Sequence, residues 1–193
     1  MAMFTKRRPL GEAGTAKSGG LGRTLGIILG VALIAILVMS CFTRVPTGNT
    51  GIVTTFGKVF QNCAALTTLP DGLFAGNPKV TTYSNALENC TALESVGLLF
   101  GKSTASAKCD RLFAGATALK SVPAGIFDGL TGATAFNNTF SECSALETIP
   151  AGLFAKNVNA TTVAQCFLNC TRLTMVPSRL FEANTKTKTL TEM

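Results

Sequence analysis

The sequence predicts an α/β repeat fold, a solenoid of about five 27-residue units preceded by one transmembrane helix. Three observations carry this. A pattern of phenylalanine, cysteine, leucine and proline recurs through residues 59–193, clearest in FSECSALETIPAGLF from Phe140 to Phe154. An uncharged apolar run of 18 residues, Leu25 to Phe42, stands before it. The chain contains no histidine, and no cluster of residues in it reads as an active site.

Composition excludes several function classes. Hydrophobic residues make up 47% of the chain and charged residues 14%, which suits an apolar repeat core plus a membrane segment. Without histidine the usual general base and the commonest metal ligand are missing. The net charge is +7, but residues 1–44 carry six basic residues against Glu12 alone, while the remainder holds eleven basic and nine acidic residues. The basic excess therefore sits on the N-terminal arm, and a nucleic-acid footprint on the repeats is not expected. We expect no enzyme, no cofactor, no metal and no small-molecule substrate.

Residues 1–24 are basic and rich in Gly, Ser and Thr, and read as a disordered arm. Residues 25–42 are just long enough to cross a bilayer as a helix, so the membrane is an expected partner through this run. Positive charge before it, with only Arg44 just after it, orients a single-pass protein with a cytoplasmic N-terminus. The same run is compatible with a cleaved signal peptide. It is also compatible with a lipoprotein signal, Val38-Met39-Ser40-Cys41, in which Cys41 would carry the lipid. Cys41 as an apolar residue ending a membrane helix is the preferred reading. All three readings put the repeats outside the cytoplasm, on the cell surface.

Residues 43–58 form a linker with turn chemistry at Val45-Pro46-Thr47-Gly48 and a β-branched strand at Ile52–Phe56. The anchor followed by VPTGNTGIVTTFGKV resembles the start of stomatin/prohibitin/flotillin superfamily proteins. That resemblance implies an oligomeric membrane scaffold. It covers residues 25–58, and the β-rich body and long coiled-coil helix of that family do not follow. The repeat array is joined on near Lys58.

Within the array the slots align closely. The first is Phe60, Leu87, Phe113, Phe140 and Phe167. Three residues on come Cys63, Cys90, Ala116, Cys143 and Cys170. Then follow Leu66, Leu93, Leu119, Leu146 and Leu173, and next Leu69, Val96, Val122, Ile149 and Val176. The closing slot is Phe74, Phe100, Phe127, Phe154 and Phe181. Steps are 27, with one of 26 traceable to Val96–Phe100, where a proline is also lost. Leu-x-x-Ile/Val predicts a short strand that proline ends. Pro-x-Gly predicts a turn. The i, i+4, i+7 spacing of Tyr83, Leu87 and Cys90, repeated at Phe136, Phe140 and Cys143, predicts a short helix, with Thr81 and Thr134 as its starts. One such unit cannot bury its apolar face alone, but stacked copies can.

These units resemble leucine-rich repeats of the BspA-like, cysteine-containing kind found in bacterial surface proteins, over residues 56–193. They are longer than the usual unit and carry Ile/Val-Pro-x-Gly-Leu-Phe where that class has a longer strand. The resemblance implies a solenoid, a surface location and a bacterial source. Leu190 falls in the slot of Val163, and Met193 stands one residue before the next expected phenylalanine. We expect a truncated array or a fragment of a longer chain.

The cysteines of the repeat slot read as core, because Ala116 replaces one of them and no second close pair accompanies Cys166-x-x-x-Cys170. Cys109, in the aromatic slot of Phe56, Tyr83 and Phe136, reads as core too. Two polar columns remain for a protein partner. One is Thr67, Glu94, Lys120, Glu147 and Thr174, with alternating charge in its middle. The other is Thr68, Ser95, Ser121, Thr148 and Met175. Strand register decides which faces solvent. The expected function is a membrane-anchored, extracytoplasmic protein acting in protein–protein interaction or adhesion. The alternative is a membrane scaffold of stomatin/prohibitin type with a truncated or replaced domain.

Overall fold

Proline, glycine and asparagine punctuate every unit, and the chain uses them to complete a circuit and return beside itself. A computed structural model of the protein describes residues 53–188. Thr55 bridges to Thr82, Thr82 to Lys108, Lys108 to Ala135 and Ala135 to Thr162, every pair parallel. Phe56 N donates to Thr82 O at 2.9 Å, Tyr83 N to Lys108 O at 2.8 Å and Cys109 N to Ala135 O at 2.8 Å. A parallel pair needs a long crossover, and here the rest of the coil supplies it. Neighbouring coils therefore lie about 4.8 Å apart at this ladder. The register shortens once, between Thr82 and Lys108, just beyond the predicted gap at Val96–Phe100.

This ladder is not where the apolar pattern puts the strand. At Leu-x-x-Ile/Val the structure forms only β1 (Thr68–Leu69) and β2 (Ser95–Val96), a parallel pair with Thr68 opposite Ser95. One further bridge there joins Ser121 to Thr148. The proline that follows this site has no N–H and stops the pairing. The continuous ladder is reinforced by threonine instead. The hydroxyls of Thr81, Thr134 and Thr161 donate to Thr54 O, Ala107 O and Thr134 O of the preceding coil, at 3.2, 3.4 and 3.0 Å.

The predicted helix is absent: no helix occurs among the described residues. In its place runs a chain of turns. The amides of Val59, Gln61 and Cys63 bond three residues back, to Phe56, Lys58 and Phe60. Those of Lys58, Phe60 and Asn62, between them, bond forward to Ser84, Ala86 and Glu88 of the next coil. Every fourth residue takes positive φ, as at Asn85 and Asn89, Asn138 and Glu142, and Gln165 and Asn169. A helix cannot hold a left-handed residue in each turn, whereas asparagine tolerates that conformation. A helix would also spend internally the amides that join coil to coil. The predicted burial still holds, because Tyr83, Leu87 and Cys90 all point inward.

The core is built from columns. Phe74, Phe100, Phe127, Phe154 and Phe181 stack face to face with centroids 5.6, 6.0, 5.6 and 5.2 Å apart. A second stack joins Phe113, Phe140 and Phe167 at 5.3 and 5.6 Å. Its column is interrupted by Leu87, also buried. Offset stacking of this kind adds about 0.5–1.5 kcal/mol per pair beyond the area buried. Leu69, Val96, Val122 and Ile149 are buried, while Val176 in the same slot is 40% exposed on the last described coil.

Residues 1–24, 25–42 and most of the 43–58 linker, with the membrane segment and Cys41, lie outside the described residues. Among the described residues no helix is long and apolar enough to cross a membrane.

Candidate functional site: an exposed ribbon across the coils

The sequence leaves open which polar column faces solvent, and the structure exposes both. Thr67, Thr68, Glu94, Ser95, Lys120, Ser121, Glu147, Thr148, Thr174 and Met175 are all open to solvent. The reason is the brevity of the strand. Leu93 points in, Glu94 and Ser95 point out, and Val96 points in again. Strict alternation would have buried one of the two columns. The outcome is a ribbon two residues wide, backed by the buried Leu/Val/Ile slot.

Backbone bonds hold the ribbon in register. Glu94 N donates to Thr67 O and Glu147 N to Lys120 O, both at 2.9 Å. Asp71 fixes the turn beneath it by accepting Leu98 N at 2.8 Å. That contact explains glycine in the proline slot of the second coil, because a Cβ on Gly97 would meet Asp71 Oδ1 at 1.8 Å. The charged column behaves differently from expectation. Lys120 Nζ stands 3.9 Å from Glu94, but Glu147 pairs with Arg172 at 2.7 Å rather than with Lys120. All four groups are about half exposed or more, so these pairs are worth little. Met175, 73% exposed, makes the ribbon apolar at its last coil, and Leu98 is exposed in the turn that follows Ser95 and Val96.

Five of the cysteines are packing groups, whereas Cys63, in the same slot as three of them, is partly buried and disulfide-bonded. Cys90, Cys109, Cys143, Cys166 and Cys170 are buried free thiols. Cys90, Cys143 and Cys170 donate S–H to Phe60 O, Phe113 O and Phe140 O of the preceding coil at 3.1, 3.2 and 3.0 Å. Burial pushes the Cys90 and Cys170 thiols up to about 11 and that of Cys143 well above its ordinary value. Such thiols hold almost no thiolate at neutral pH, the form that attacks or binds metal. Among the described residues no group of three or more Cys, Asp or Glu could hold a metal ion.

Two polar features escape the sequence reading. Asn157 and Asn184 are buried, and each amide donates to two carbonyls of the preceding coil. Asn157 reaches Phe127 O at 3.0 Å and Leu130 O at 2.8 Å, and Asn184 reaches Phe154 O and Asn157 O at 3.2 and 2.8 Å. The signal was present as Phe-x-x-Asn at Phe74, Phe154 and Phe181. The second feature is Glu88, only 6% exposed. Its carboxylate accepts from Arg111 at 2.7 Å, Asn85 at 2.8 Å and Gln61 at 2.5 Å, donors drawn from three successive coils. No spacing rule marks it, since its own column reads Gln61, Glu88, Ala114, Ser141, Leu168.

No protein-family model and no curated protein matches the chain. Among solved structures it is similar to a leucine-rich cell surface protein from Faecalibacterium prausnitzii A2-165, at 22% identity and a TM-score of 0.31. That similarity covers 64% of this chain and 35% of the other, so the chain spans about a third of that protein's length.

Proposed function

We propose that the chain is a leucine-rich-repeat surface protein whose stacked coils present the ribbon to another protein. The observation that carries this is the ribbon itself. Five coils contribute two adjacent exposed columns, which in the first four lie over a buried apolar slot. Stacked repeats create extended binding surfaces of this kind. The exposed charges of Glu94, Lys120 and Glu147 would set the register and approach of a partner more than its affinity. Leu98 and Met175 would supply apolar contact. Anchoring through residues 25–42, with the N-terminus in the cytoplasm and the repeats outside, belongs to the same proposal and rests on the sequence. No catalytic step, cofactor or nucleic acid enters it.

The test uses intact cells producing the full chain. Protease added outside is expected to remove the repeats. A photoreactive side chain at Ser121 is expected to give a discrete protein adduct. Paired substitutions Glu94→Lys and Glu147→Lys should lower its yield about tenfold, as charge reversal in a recognition surface does. Repeats protected from outside protease, or an adduct indifferent to the charge reversals, would sink the reading.

A further inference from the structure

A second feature lies on another part of the coil, in the loops that follow the closing phenylalanines. A groove of about 490 Å³ opens there, lined by Lys79, Lys102, Ser103, Thr104, Asp128 and Thr131. Its floor is backbone brought unusually close. A Cβ on Gly129 would lie 2.3 Å from Gly101 O, and one on Gly132 would lie 2.1 Å from Thr104 O. Ser103 N donates to Gly129 O at 2.7 Å, and Ser103 Oγ donates to Pro78 O at 2.5 Å. Thr131 Oγ1 donates to Ser103 O at 3.3 Å. The walls are thus tied to the backbone of three coils.

The charges are not tied. Among the described residues Lys79, Lys102 and Asp128 have no ion pair with one another or with any other group. Two ammonium groups and one carboxylate, all three exposed to solvent, line one groove without pairing. A ligand that brings one anionic group to the lysines and neutral hydrogen-bond donors to Asp128 would pair with all three. We propose that this groove binds an acidic saccharide, a uronic-acid type of sugar whose carboxylate sits between Lys79 and Lys102 and whose hydroxyls donate to Asp128. A run of negative charge, as on an acidic peptide, fits less well, because it would set further anions against Asp128. This goes beyond the ribbon proposal and shares none of its residues.

The experiment titrates the full chain with a disaccharide of one uronic acid and one neutral hexose. The same disaccharide with its carboxylate reduced to the alcohol, and a tetra-aspartate peptide, serve as comparisons. Binding is read by isothermal titration and saturation-transfer NMR. The acidic sugar should bind at least about tenfold more tightly than its reduced form, in keeping with charge-assisted bonds, and weaken with added salt. Lys79→Gln with Lys102→Gln should remove most of that preference. Asp128→Asn should weaken the acidic sugar while bringing the peptide closer to it. Equal binding of both sugars, a peptide that binds better than the acidic sugar, no binding at all, or a double variant that binds as the parent does would each overturn the proposal.

Discussion

At the scale of single residues, the most consequential group is Glu88. Burial opposes its ionisation, but the bonds from Arg111, Asn85 and Gln61 outweigh that and hold its carboxyl below the ordinary range. A carboxylate with a depressed folded pKa adds stability above the unfolded value, about 4.3. That stability is lost as pH falls through the lower folded value. Arg111 is half exposed, so solvent screens its share. We expect Glu88→Gln to cost about 1–2 kcal/mol at neutral pH. In urea unfolding the gap to the parent should begin to shrink below about pH 4 and close only beneath the lower folded value, where both chains carry a neutral side chain. A gap of constant size across that range would mean that the carboxylate's charge contributes nothing.

Single elements show why part of the fold was legible and part was not. The slots of Phe60, Cys90, Leu93 and Phe127 were readable because burial follows side-chain spacing. The backbone form between them was not. A helix and a chain of turns both turn residues i, i+4 and i+7 inward, so Tyr83, Leu87 and Cys90 cannot tell them apart. The deciding signal is the residue that must take positive φ. In one such slot it is Asn62, Asn89, Gly115, Glu142 and Asn169, a recurrence that points to the left-handed conformation. The exposure of both ribbon columns was hidden likewise, because strand length, not composition, decides alternation. The turn after the proline gives the matching prediction. Gly72 and Gly125 take φ of +69° and +77° there, and Arg179 takes the same role at +67°. Its ion pair with Glu182 is exposed and long, at 3.9 Å. Arg179→Gly should therefore raise stability by about 1 kcal/mol. Thermal melting of the two chains checks this, and a lower midpoint for the glycine variant would contradict it.

For the whole molecule the central fact is that each coil touches the next through one repeated set of contacts. The phenylalanine stack, the threonine hydroxyls and the S–H donors all reach one coil back. Stability should then be close to a sum over coils and their interfaces. Removing Ala114–Phe140 joins Phe113 to Ser141 and keeps every slot in phase. The shortened chain should still unfold cooperatively, with a lower midpoint and a denaturant slope reduced in proportion to the surface lost. The deletion also sets Glu94 beside Glu147, since the intervening Lys120 is gone. Like charges on adjacent strands repel, at about 0.2–1 kcal/mol, so Glu94→Lys in the shortened chain, which leaves the Glu147–Arg172 pair intact, should recover part of the loss. Removing Ala114–Phe127 instead shifts the register by half a coil. It would place polar residues against the phenylalanine stack, and that chain should not fold. Circular dichroism melts of the three chains decide the matter. If the in-phase deletion is no more stable than the out-of-phase one, the coils are not interchangeable units.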